Sequence, residues 1–250
     1  MSIEHFTDRF YDVNFFDSLE EGSLRSARVV VPIVVELVRP RSVVDFGCGR
    51  GAWLKVFREN DIETVLGLDG NYVDPRQLLF PAGCFRAVDL AQTFDLQRRY
   101  DLALSLEVAE HLPRSSARRF VQQLTNAADA VLFSAAIPGQ GGTRHVNEQW
   151  PCFWQKLFAN EGFRPWDPVR PRIQHDRRVD WWYRQNLIFY VSERLAASSQ
   201  RLPVEGTEAS LEWVHVSILQ QHESFRGIRH LLSRAIESGV RRHFSRLRKQ

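Results

Sequence analysis

The sequence predicts an α/β domain built on a doubly wound, mostly parallel sheet. Three observations carry that expectation. Apolar runs of strand length alternate along the chain with segments of helical spacing, the pattern of parallel strands joined by crossover helices. The first run leads into a glycine cluster and then a helix, the opening of a βαβ unit. A chain of 250 residues, 44% hydrophobic and 25% charged, can bury one such core without disulfides or metals as staples.

Taken in order, residues 23–38 are apolar enough for a buried helix, which Pro40 ends. Residues 42–46, Ser-Val-Val-Asp-Phe, read as a short buried strand running into Gly47, and residues 52–60 regain helical spacing through Trp53, Leu54 and Phe57. Residues 64–69, 84–89 and 100–106 are the second, third and fourth strands. Residues 116–127 form the clearest helix, ahead of a fifth strand at 130–135. The late part departs from this alternation. Gly162-Phe163 opens an extended stretch and residues 186–192 form a strand, with no full-length helix between, which predicts an antiparallel pair joined by a long loop over residues 168–184. Residues 194–207, with Pro203 and Gly206, read as a linker.

Composition excludes several classes. The longest apolar run, residues 29–35, contains Pro32 and stops at Glu36, short of the roughly 20 residues that span a bilayer. The first residues lack the basic start and apolar stretch of a secretion signal. Cys48, Cys84 and Cys152 form no Cys-x-x-Cys pair and fit neither a disulfide framework nor a zinc knuckle, so a reducing cytoplasm is the expected location. The net charge of +3 hides an asymmetry: from Arg226 onward there are eight Lys and Arg against one acid, Glu237, leaving 25 basic and 29 acidic residues before it. A mildly acidic body with a basic tail argues against nucleic-acid binding over the whole surface.

Gly47-Cys-Gly49-Arg-Gly51-Ala52 satisfies the loose dinucleotide pattern, in which glycines let the backbone approach a ligand at a helix N-terminus. Asp45, two residues earlier, alters the ligand expected. A carboxylate at the end of that strand suits a cation and is poorly placed for a pyrophosphate. Through Val43-Val-Asp45-Phe-Gly47-Cys-Gly49-Arg-Gly51-Ala-Trp-Leu the chain resembles class I S-adenosylmethionine-dependent methyltransferases, whose donor combines a free amino group, a sulfonium and an adenosine. Further blocks follow in order across residues 40–192. Asp69 ends the second strand 18 residues after Gly51, where the family's acidic residue accepts both ribose hydroxyls. Asp89, with Leu90 beside it, falls where the family contacts the adenine amino group. The resemblance implies a Rossmann-like sheet of seven strands, the last antiparallel, with helices on both faces. It also implies a donor site of Asp45, Gly47, Gly49, Gly51, Asp69, Asp89, Leu90 and Glu107.

Ser105-Leu-Glu107-Val-Ala-Glu110-His111-Leu-Pro matches the block after the fourth strand. On a helix, Glu107, Glu110 and His111 would share one face, a half-site for Mg2+ or another divalent cation. The same E-x-x-E-H arrangement, completed by a later histidine, resembles metal-using O-methyltransferases of ubiquinone biosynthesis and of small-RNA 3′ ends. Here that histidine is His145, so the metal set would be Glu107, Glu110, His111 and His145. In metal-free relatives Glu107 lines the donor pocket and Glu110 caps or pairs. His145 follows a glycine-rich loop, residues 138–143, where the acceptor pocket lies in this fold. A histidine there can take a hydroxyl proton, which makes His145 the expected catalytic residue, with His111 and Glu107 adjoining. Asn147, Gln149 and Trp150 are candidates for orienting an acceptor.

Residues 170–184 combine five arginines with Trp181, Trp182 and Tyr183, a composition suited to phosphate, nucleotide or sugar recognition and equally to buried rings with solvated cations. Phe225, Ile228, Leu232, Ala235, Ile236, Val240, Phe244 and Leu247 recur at helical spacing with arginines between them. That tail would dock on protein, form a homodimer or lie peripherally on an anionic membrane surface. The expected organisation is N-terminal helices over the donor site (1–39), a methyltransferase core (40–193), a linker (194–210) and a basic amphipathic helix (211–250). The expected reaction is O-methylation of a small-molecule, sugar or natural-product hydroxyl. The alternatives are RNA 2′-O-methylation, N-methylation of an amine, and a donor-binding partner protein without catalysis.

Overall fold

A computed structural model describes residues 13–198, with side chains from residue 20 onward. The elements are α1 (Val13–Val38), β1 (Ser42–Phe46), α2 (Ala52–Glu59), β2 (Thr64–Asp69), β3 (Phe85–Ala87), β4 (Leu102–Leu106), α3 (Ala117–Ala127), β5 (Ala130–Ser134), α4 (Pro151–Asn160), β6 (Phe163–Trp166), α5 (Arg170–Ile173), α6 (Trp181–Asn186), β7 (Ile188–Ser192) and α7 (Glu193–Ser198). The strands form one seven-stranded sheet in the order β3-β2-β1-β4-β5-β7-β6. The pairs from β3 to β5 are parallel, whereas β7 runs antiparallel to both β5 and β6. This is the Rossmann-like sheet expected from the sequence.

Strand periodicity builds three layers. Val43, Leu102, Leu104 and Leu132 point to the face covered by α1 and α2, where Val30, Val34, Leu54 and Phe57 are buried. Val44, Phe46, Ala103, Val131 and Phe133 point to the opposite face, under Phe120 and Leu124 of α3 and Phe158 of α4. Covered on both faces, β1, β4, β5 and β7 are buried throughout, as parallel-type central strands require.

The larger differences from the sequence reading are these. α1 begins ten residues earlier than expected and carries Pro32, whose exposed ring lies away from the buried stripe of Val30, Val31 and Val34. The third strand is only Phe85–Ala87, because Asp89 turns the chain by accepting the N–H of Ala91 at 2.9 Å. The loop between β6 and β7 folds into two short helices, α5 and α6. The start of the expected linker continues β7 as α7, which Ser192 caps through the N–H of Leu195 at 3.1 Å. The basic tail and most of the linker lie outside the described residues. Among those described, no helix is long and apolar enough to cross a membrane.

Candidate functional site

The chain runs from β1 outward through β2 to β3, then returns to place β4 on the other side of β1. That reversal opens a crevice at the carboxyl ends of β1 and β4, the position at which doubly wound sheets bind ligands. Asp45, near the end of β1, and Asp69, the last residue of β2, both reach it. Both carboxylates are buried, at 2% and 4% exposure. Burial first, and then the charge of Asp69, pushes the Asp45 carboxyl up to about 7.

The glycine turn is held against Asp69. The N–H of Gly49 donates to Asp69 Oδ2 at 2.7 Å, and those of Gly47 and Cys48 donate to the Leu68 carbonyl at 2.7 and 3.1 Å. Gly47 and Gly51 have φ of +88° and +86°, and a β-carbon would meet Val108 at 2.4 Å and Phe80 at 2.1 Å respectively. A side chain is therefore excluded twice over at each, by backbone conformation and by the neighbour. A β-carbon at Gly49 would meet nothing within 4 Å among the described residues, which leaves room at this turn for a donor. From α1, Glu20 pairs with Arg50 of this turn at 3.2 Å.

The other expected donor residues divide. Asp89 is exposed just beyond β3, whereas Leu90 is buried in the core on the α3 side. Tyr72 was not anticipated. Its hydroxyl donates to Asp69 Oδ1, which also accepts the N–H of Gly70 at 2.7 Å.

Across the crevice, the block after β4 corrects the helical reading. Glu107 has φ of +56°, and only Ala109–His111 forms a single 3-10 turn. Glu107 therefore does not share a helical face with Glu110 and His111. Its N–H bonds the Ser134 carbonyl and hydroxyl, both at 3.1 Å, and its carboxylate accepts Gln140 Nε2 at 2.7 Å and Asn186 Nδ2 at 3.0 Å. Burial raises its pKa against the hydrogen bonds from Asn186, Gln140 and Ser134. Both Glu107 oxygens thus accept an amide hydrogen, and Glu107 is not among the residues whose ligand atoms converge most closely.

The remaining three stay together. One potential ligand atom each from Glu110, His111 and His145 lies within 4.8 Å of the others. The two imidazoles meet edge to face with centroids 4.9 Å apart. Glu110 has no exposed surface; its carboxyl faces the Glu107 carboxyl and the backbone of Glu110 and Ala136, without a well-formed hydrogen bond among the described residues. Burial, and then the Glu107 charge, raises its pKa well above the ordinary range. His111 keeps an exposed edge, yet burial of its ring and then the neighbouring His145 hold it down to about 4. It is thus a neutral imidazole at pH 7, the form that offers a lone pair to a cation.

Loop 138–148 brings His145 to this cluster. The N–H groups of Val146 and Asn147 donate to the Glu110 carbonyl at 2.9 and 3.0 Å, and Asn147 Nδ2 donates to the Ala109 carbonyl at 3.2 Å. Asn147 is therefore buried structural scaffolding rather than a group directed at an acceptor. Gln149 bonds Asn147, and Trp150 packs with Ile137. Glu148, unassigned from sequence, accepts from His145 Nδ1 at 3.1 Å. Burial works to raise its pKa, but the His145 hydrogen bond and charge and the N–H groups of Gly139 and Gly141 prevail and lower it.

Three of the five arginines in the 170–184 stretch pair with carboxylates, and Arg177 is exposed. Arg170 is buried against Asp167, Arg172 meets Glu36, Arg178 meets Asp176, and Arg184 donates to the Gln174 carbonyl. Tyr183 is buried against Trp53.

Comparison with known proteins agrees with this architecture. The family model described as a methyltransferase domain matches residues 21–185. No curated protein matches the chain in sequence. Among solved structures, the chain is similar to a protein from Nostoc punctiforme PCC 73102 proposed to be an O-methyltransferase (TM-score 0.56, 16% identity, covering 72% of this chain and 59% of that one). It is also similar to an O-methyltransferase family protein from Burkholderia thailandensis (0.52, 14%, covering 72% and 60%). A third likeness is to the CcbJ methyltransferase from Streptomyces caelestis (0.51, 11%, covering 68% and 95%). The chain thus spans about three fifths of the length of the first two. At these identities the likeness is one of fold.

Proposed function

We propose that this chain, which belongs to the methyltransferase-domain family and is an S-adenosylmethionine-dependent methyltransferase, methylates a hydroxyl oxygen of a small-molecule or saccharide acceptor beside a divalent cation held by Glu110, His111 and His145. The single observation that carries this reading is Glu110. Its carboxyl has no exposed surface, faces the Glu107 carboxyl and the backbone of Ala136, and offers a ligand atom within 4.8 Å of those of His111 and His145, a convergence that a cation would hold together.

The chemistry favours oxygen. The donor sulfonium is already a strong electrophile, so the protein must align it with a nucleophile that has a free lone pair. An amine needs only to be neutral, whereas a hydroxyl is a far weaker acid than an ammonium ion, so a cation beside basic side chains helps oxygen the more. A cation bound there would act as a Lewis acid and lower the pKa of an acceptor hydroxyl. Two imidazoles and one carboxylate shift the preferred ion from Mg2+ toward Mn2+, Fe2+, Co2+ or Zn2+. Asp45 and Asp69 would take the donor amino group and ribose, with the Gly49 turn against the rest. A body that is mildly acidic outside the tail, with Arg170 buried against Asp167, supports a small acceptor over RNA.

Calorimetric titration with S-adenosylmethionine and separately with Mn2+, followed by methyl-transfer assays on a panel of hydroxylated acceptors with and without EDTA, tests this reading. Donor binding, Mn2+ binding abolished by Glu110→Gln, and EDTA-sensitive transfer to oxygen are expected. Failure of Mn2+ to bind, together with full transfer in excess EDTA, would overturn the cation; transfer to nitrogen alone would overturn the acceptor class.

A further inference from the structure

Glu148 is a carboxylate committed entirely to one loop. Its Oε1 accepts from His145 Nδ1 at 3.1 Å and from the N–H of Gly141 at 3.2 Å, and its Oε2 accepts from the N–H of Gly139 at 2.9 Å. The two glycine N–H groups fix the carboxylate, and the carboxylate in turn fixes the ring. A carboxylate without a proton can only accept, so Nδ1 of a neutral His145 must carry the hydrogen and Nε2 must hold the lone pair.

The geometry points to Glu148 as a positioning residue for methyl transfer: it locks His145 in the Nδ1–H tautomer, so that Nε2 is the ring nitrogen left with a lone pair for an ion at the Glu110–His111–His145 cluster. This rests on the reading of His145 as a ligand in the proposed site. Gly142 completes the arrangement, because a β-carbon there would lie 2.3 Å from His145 Nε2 and Cε1. A carboxylate behind a ligating histidine fixes ring orientation and raises ligand basicity, and its loss typically costs about 10–100-fold in metal affinity.

The test uses the full chain and Mn2+ alone as the probe. In metal-free protein, 15N-resolved spectra of the histidine rings should show His145 with its proton on Nδ1 in the wild type and on Nε2 in Glu148→Ala. Mn2+ affinity should fall about 10–100-fold in Glu148→Ala. Glu148→Gln, which can still accept the Nδ1 hydrogen through its amide oxygen, should keep the wild-type tautomer and lose less affinity. A wild-type His145 protonated on Nε2 would overturn the proposal, and this reading stands even if Glu148→Ala does not fold. So would a Glu148→Ala protein with unchanged tautomer or unchanged Mn2+ affinity. His145→Ala separates the two layers. Wild-type Mn2+ affinity in that variant would remove His145 from the site and the proposal with it, whereas loss of Mn2+ in His145→Ala but not in Glu148→Ala would overturn the positioning role alone.

Discussion

The N–H of Gly49 donates to Asp69 Oδ2 at 2.7 Å, so the turn after β1 and the end of β2 behave as one unit. The carboxylate placed to meet a donor ribose also holds the loop over which that donor would lie. Asp69→Ala should therefore weaken S-adenosylmethionine by more than a lost ribose contact. One charge-assisted hydrogen bond contributes about 1.5–3 kcal/mol, so a loss of about 100-fold or more is expected by calorimetry. A loss below tenfold would place the donor elsewhere.

Asp45 makes donor binding pH-dependent. Its pKa in the folded chain is raised to about 7 by burial and Asp69, from an ordinary value of 3.8. The folded state thus holds a proton that the unfolded state releases between those values. Its contribution to stability is full below pH 3.8 and declines as pH rises toward 7. A cationic donor requires the ionised form, so its affinity should rise with pH at up to about tenfold per unit below 7 and level off above it. Calorimetry between pH 5.5 and 8 checks this slope, and Asp45→Asn should flatten it.

Glu110→Gln separates a ligand from a structural acid. The variant keeps the side-chain shape while removing a carboxyl that makes no well-formed hydrogen bond at full burial. Metal-free Glu110→Gln should unfold at a denaturant midpoint no lower than the wild type, and Mn2+ should raise the midpoint of the wild type only. A marked drop in the metal-free midpoint would make Glu110 a structural residue.

The core offers a test independent of chemistry. Phe158 of α4 stacks on Tyr190 of β7 with ring centroids 3.8 Å apart and planes 7° apart, both residues fully buried. Phe158→Ala should cost about 3–5 kcal/mol in denaturant unfolding. Tyr190→Phe should be neutral or stabilising by about 1 kcal/mol, because the buried Tyr190 hydroxyl finds no hydrogen-bond partner among the described residues.

Wherever local pattern and tertiary demand coincide, the fold was legible in the chain. Residues 42–46 and 64–69 are read as strands at their observed bounds, because a short apolar run ending in a glycine turn or an Asp-Gly step has few other uses. Asp45, the glycine turn and Asp69 lie within 25 residues and meet through two adjacent parallel strands, so their convergence follows from a single βαβ unit. Glu107, Glu110 and His111 show the opposite case. Their spacing fits a helix, but the positive φ at Glu107 sends its carboxylate to Gln140 and Asn186, two residues from segments 33 and 79 positions away.

The sequence by itself determined the doubly wound sheet, the carboxylates at the ends of β1 and β2 and the residue types of the polar cluster, because strand periodicity, turn chemistry and motif spacing are local. The tertiary structure alone decided which lone pairs remain available. It committed Glu107 to two amides, left Glu110 buried without a well-formed bond, and placed Glu148 behind His145. Those assignments depend on how loop 138–148 and α6 close over the end of β4. That closure is a matter of long-range packing, which no short spacing encodes.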